Sequence, residues 1–107
     1  MGEIRARFEG DTTIAEEVIR TIVALAAAEV EGLEGTVPSP FGRDRGVVAE
    51  LEGDSVKITL RVAARYGYPL QELGRKVQEK VKQEVEELTG LKVRAVDVHI
   101  QRLQLGV

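Results

Sequence analysis

The chain has no cysteine, which excludes a disulfide framework and any thiolate metal site and fits a reducing compartment. It has a single histidine, His99, a poor start for a metal centre without cysteine. Its acidic residues never form a D-x-D-x-D loop, and it carries neither a phosphate-binding P-loop nor a dinucleotide-binding glycine fingerprint. Long hydrophobic runs are missing too. The longest strongly apolar stretch, Ile22 to Ala28, is far too short to cross a bilayer, and no basic start followed by an apolar run marks a signal peptide. There is no excess of positive charge: 15 Lys and Arg stand against 18 Asp and Glu, a net −3, which argues against a general nucleic-acid binder. The 107 residues are 43% apolar and 31% charged, ordinary values for a globular protein. The expectation is one soluble, cytoplasmic domain over residues 1–107.

What is present reads as alternating strands and helices. Ile4, Ala6 and Phe8 alternate with Arg5 and Arg7, the pattern of a half-buried strand. A helix follows, with Thr13 and Glu16 spaced as a capping box. Its stripe is Ile14, Val18, Ile22, Ala26 and Val30, widened by Ile19, Val23 and Leu25, which predicts deep burial. Residues 32–46, with four Gly and two Pro, read as an irregular surface loop. Val47, Ala49 and Leu51 then alternate with Val48, Glu50 and Glu52. After a Gly53-Asp54 turn, Val56, Ile58, Leu60, Val62 and Ala64 alternate with polar residues, the signature of a hairpin with one buried face. Pro69 opens a second helix with the stripe Leu70, Leu73, Val77, Val81, Val85 and Leu88, and Gly90 stops it. The last strand places Val96, Val98 and Ile100 on one face and Asp97 and His99 on the other. The order strand, helix, strand, strand, helix, strand predicts an α+β fold of two layers, with two helices packed on one face of a mainly antiparallel sheet.

The heptapeptide EVEGLEG at 29–35 returns as EVEELTG at 84–90, identical at five of seven positions. The two are read as helix ends, with Val and Leu closing a seam and Gly taking the left-handed position. On that alignment Val18, Ile22, Ala26, Val30 and Leu33 match Leu73, Val77, Val81, Val85 and Leu88. A G-x-x-G phosphate clamp does not suit the site, because Glu29, Glu31 and Glu34 surround the glycines. Three surfaces are candidates for contact. The first is the acidic helix ends, Glu29, Glu31, Glu84, Glu86 and Glu87, which oppose the macrodipole and are either a solvated face helped by Lys80–Glu84 and Lys82–Glu86 pairs or a patch for a basic partner. The second is a basic sheet face of Arg5, Arg7, Lys57, Arg61 and Arg65. It lacks the stacked aromatics of an RNA-reading sheet, since Phe8 falls on the buried phase and Tyr66 and Tyr68 lie past the strand end. The third is the tail, where Leu103 and Leu105 would fall away from the core and ask for a cover. Asp97 and His99 are the one acid–base pair on offer, with no nucleophile beside them in sequence. No catalytic, cofactor-binding or metal-ligating residue is assigned, no cofactor is expected, and the reading is of a protein that is not an enzyme.

Several stretches together resemble the alkaline-shock, envelope stress response protein family of Gram-positive and related bacteria. They are GEI near the start, IAEEVIRTIVALAAAEVEGLEG, the GV that opens the hairpin, YGYPLQELGRKVQEKVKQEVEELTGLKV, and VDVHIQ. The likeness covers nearly all of the chain outside residues 36–45. It implies a small cytoplasmic α+β domain without known catalysis that self-associates as a homo-oligomer. It also implies, for some members, recruitment to the inner face of the cell membrane by a small integral membrane protein, without insertion of the domain itself. Two features depart from it: the richness of the N-terminal strand, and a chain that stops soon after the last strand without the charged extensions some members carry. The main expectation is a non-enzymatic scaffold of the envelope stress response. The alternative is a nucleic-acid-binding accessory domain using the basic sheet face.

Overall fold

A computed structural model describes residues 12–38 and 45–102, with the side chains of residues 12–14 and 102 outside the description. Helix α1 spans Thr12–Ala28, strand β1 Leu33–Thr36, β2 Val47–Glu52, β3 Ser55–Ala64, helix α2 Leu70–Thr89 and β4 Lys92–Arg102. The predicted strand at 4–8 lies outside the described residues.

Strand β3 is the axis of the sheet. Both β2 and β1 pair with it antiparallel, β2 along Ser55–Leu60 and β1 along Val62–Ala64, so they share one edge of β3 end to end. Strand β4 runs parallel to β3 along the other edge, from Ser55↔Lys92 to Ala64↔Arg102. Two of the three pairings are therefore antiparallel. The parallel one needs a crossover, and α2 is that crossover. The expected α+β fold, with helices on one face, is what the chain adopts.

The hairpin turn forms at Gly53-Asp54, with Gly53 at φ 63°, a conformation that glycine adopts without steric cost. The inward phase of β3, namely Val56, Ile58, Leu60, Val62 and Ala64, is wholly buried against the helices. From α2, Leu73, Val77, Val81 and Val85 meet it, each stabilising by about 1.5–3 kcal/mol relative to exposure. Helix α2 follows Pro69, and Gly90, at φ 76°, ends it with its N–H donated to the Glu86 carbonyl (3.0 Å).

Three expectations are corrected. Helix α1 begins at Thr12, so Thr13 lies within the helix and is not its cap. The segment read as an irregular loop over 32–46 contains strand β1. Its Leu33 is buried, and its pairing comes from tertiary contact with β3, since a Leu-Glu-Gly-Thr run has little strand propensity. The α1 seam is also displaced. Ala15, Ile19, Val23, Ala26, Ala27 and Val30 face the core, while Val18 is 37% exposed, Leu25 is 64% exposed and Ile22 is half-buried.

Candidate functional site

The acidic helix ends are largely occupied within the chain. Lys80 of α2 reaches both Glu29 (3.0 Å) and Glu84 (3.2 Å), tying the end of α1 to α2. Its ammonium is held above the usual lysine range, chiefly by the hydrogen bond to Glu29 and then by the one to Glu84. The Tyr68 hydroxyl donates to Glu31 (3.2 Å), and the Gln83 amide donates to Glu87 (3.2 Å). The expected Lys80–Glu84 pair is present. Glu86, paired in expectation with Lys82, accepts the backbone N–H of Val93 in β4 (3.0 Å) and so holds the helix to the strand. Each of the five carboxylates thus has an internal partner, which disfavours reading them as a patch for a basic ligand.

The sheet face away from the helices is mixed in sign. Lys57 lies 4.0 Å from Asp97, Arg94 lies 3.0 Å from Glu52, and Arg65, just past β3, is bound by Glu34 at 2.8 Å. Arg61 stands opposite His99 in the β3–β4 register. Arg5 and Arg7 lie outside the described residues. Among the described residues, the side chains on this face are Val, Glu, Ser, Lys, Thr, Arg, Ala, Asp, His and Gln, with no aromatic on which a base could stack. Asp97 and His99 share this face, two residues apart and both exposed, with Lys57 as the nearest charged partner of Asp97. That arrangement is a solvated ladder of alternating charges.

Part of the uncovered surface is apolar, and sequence reasoning missed its main stretch. Val18 and Leu25, two turns apart on α1, stand free on the same flank. Leu25 lines an open groove of about 660 Å3 between α1, at Arg20 and Ala24, and the segment entering β2, at Arg45 and Val48. The signal was legible in part: eight apolar positions in the helix predicted from sequence make too broad a stripe for a two-layer fold to bury. The tail residues Leu103 and Leu105 lie outside the described residues, but β4 does run on to Arg102, as their predicted placement requires.

Comparison with known proteins matches the fold and the family resemblance. The model of the alkaline shock protein family, described as of cell envelope-related function, matches residues 5–105. The uncharacterized protein YqhY of Bacillus subtilis (strain 168) is 30% identical over 105 residues, covering 89% of this chain and 78% of that one. YloU of the same organism, also uncharacterized, is 28% identical over 115 residues, covering 96% and 95%. Among solved structures, a copper form of a MamM CTD variant superposes with a TM-score of 0.57 at 14% identity, over 82% of this chain and 98% of that one. A nickel form of another variant gives the same score and identity, with 99% of that chain covered. At this identity the likeness is one of fold.

Proposed function

The chain belongs to the alkaline shock protein family, whose function is cell envelope-related, and on that premise we propose that it is a non-enzymatic interaction module. It self-associates and serves as a cytoplasmic scaffold at the cell envelope. A small integral membrane protein holds it at the inner face of the membrane, and among the described residues no helix is long and apolar enough to cross that membrane.

One observation carries this reading: the charged clusters are spent on internal partners, while large apolar side chains on α1, Val18 and Leu25, are left in solvent beside a groove. Exposed apolar patches of this kind mark contact with another polypeptide. The mixed charge of the open sheet face, and its lack of aromatics among the described residues, weigh against the nucleic-acid alternative. The copper and nickel named for the structural neighbours are not carried over, since among the described residues no three His, Cys, Asp or Glu side chains gather to hold an ion.

The test is the mass in solution, by light scattering behind a sizing column, over a range of concentrations at low and moderate salt. The scaffold reading expects a mass above the 11.7 kDa of one chain that persists at moderate salt. A mass of 11.7 kDa at every concentration overturns it. Binding to nucleic acid that falls roughly tenfold to a thousandfold with salt would favour the alternative.

A further inference from the structure

Strand β4, eleven residues long, borders the sheet with β3 on one side and no strand on the other among the described residues. A border strand with unpaired N–H and C=O groups is a template for another strand, and proteins blunt such borders with bulges, charges and side-chain covers. The two halves of β4 differ in this respect. In the first half the register with β3 shifts between Val93 and Ala95, at Arg94. There the Val93 N–H is taken by Glu86 (3.0 Å), and the Val96 carbonyl accepts from the Gln78 amide (3.0 Å). From Asp97 to Arg102 the register is unbroken.

The direction of the free groups follows from the ladder. Arg61 donates its N–H to the Gly46 carbonyl (2.7 Å), so the odd-numbered residues of β3 serve β2 and the even ones serve β4. Those even residues bond Ala95, Asp97, His99 and Gln101 of β4. The N–H and C=O groups of Val98 and Ile100 therefore point out of the sheet, and among the described residues nothing caps them. Their side chains are only half-buried.

The geometry points to a second copy of this chain on this half of β4, paired antiparallel about a two-fold axis at Val98. This inference rests on the self-association proposed above and gives it a place. In that register Val98 faces the partner subunit's Val98, and Val96 faces the partner subunit's Ile100, so the groups that point outward are the ones that bond. The Val96 carbonyl keeps a second lone pair beside the one that Gln78 uses. On the open face Asp97 meets the partner subunit's His99, and the symmetry repeats the pair. The Asp–His match is specific to this register, because a slip of one residue would turn each side chain to the other face. Within one chain His99 stands opposite Arg61 in the ladder, so a carboxylate acceptor for its ring N–H comes from the second copy.

The test uses the full chain and four variants, with the dimer constant measured by sedimentation and folding checked by circular dichroism and thermal melts. His99→Asp sets carboxylate against carboxylate, and Asp97→Arg sets a guanidinium against imidazole. Each is expected to weaken the dimer about tenfold, because two cross-strand Asp–His contacts are lost per dimer. Asp97→Arg with His99→Asp sets a guanidinium against a carboxylate and is expected to recover at least the wild-type constant. A wild-type dimer that ignores both single substitutions, or that the double variant fails to recover, overturns this interface and leaves self-association standing. A dimer dissolved by Leu25→Asp and untouched by the others moves the contact to α1 and also overturns it. A wild-type chain that is monomeric at every concentration removes both inferences together.

Discussion

The segments 29–35 and 84–90 share five of seven residues and fold differently. EVEELTG is helix to its last residue but one, and Gly90 stops it. EVEGLEG leaves the helix before it starts, since α1 ends at Ala28. It passes through a turn in which Leu33 N–H reaches the Val30 carbonyl (3.3 Å) and enters β1 at Leu33. The same leucine is buried in one copy and 42% exposed in the other, as Leu88. The two differing positions account for this. Gly32 stands where the other copy has Glu87, and it adopts φ 104°, which a side chain resists. Its missing Cβ is also what lets the Tyr68 ring approach, because a methyl there would lie 2.7 Å from Cδ1. Glu34 stands where the other copy has Thr89, whose buried hydroxyl donates to the Val85 carbonyl (2.6 Å) and accepts from the Leu91 N–H (3.1 Å), pinning the helix end. A short sequence likeness therefore says little when the residues that differ are the ones that set the backbone.

The comparison can be broken most severely at Gly32. Gly32→Ala combines a disfavoured backbone angle with a clash against Tyr68 and Leu73, and is expected to cost about 2–5 kcal/mol in urea unfolding. A loss below about 1 kcal/mol would mean that the turn can be rebuilt without glycine. Thr89→Val acts on the other copy. It removes the acceptor for the buried Leu91 N–H at nearly constant shape, with an expected loss of about 1–3 kcal/mol by the same measurement. The smallest effect is at Lys80, which joins Glu29 and Glu84, the first residue of each heptapeptide. Its folded pKa is raised above the usual 10.5, so its stabilisation is complete below that pH and is lost as pH rises through the folded value. The melting temperatures of wild type and Lys80→Met should therefore differ slightly at neutral pH and converge in strong alkali. A gap that stays constant there would show that the lysine acts through its aliphatic stem.

Where one period dominated, the residues disclosed the fold. The alternation of β2 and β3, the Gly53-Asp54 turn and the Leu73–Val85 seam of α2 all read directly from spacing. Strand β1 did not, because its pairing is supplied by β3 and its own four residues, with Glu34 and Gly35 at the centre, announce only a loop. The α1 seam was misplaced because the helix offers two adjacent apolar stripes, and only packing chooses between them. The same ambiguity hid the exposed flank with Val18 and Leu25. The occupation of the acidic ends was half legible: the Lys80–Glu84 pair is local, whereas Glu29 to Lys80 and Glu86 to Val93 join elements that only the tertiary fold brings together.

The shared edge of β3 has a consequence for how this domain tolerates change. The chain leaves that edge at Val37, whose N–H donates to the Arg61 carbonyl (2.8 Å), and returns at Gly46, whose carbonyl accepts the Arg61 N–H (2.7 Å). Departure and return are thus fastened to the two sides of a single residue, and β1 and β2 each keep their own register with β3. Whatever lies between those fastenings adds loop-closure entropy, about 0.6 kcal/mol for each doubling of length, without shifting a strand. The domain has a socket at this position, where an epitope or a reporter can be spliced into the middle of the chain while the sheet on either side stays as it is.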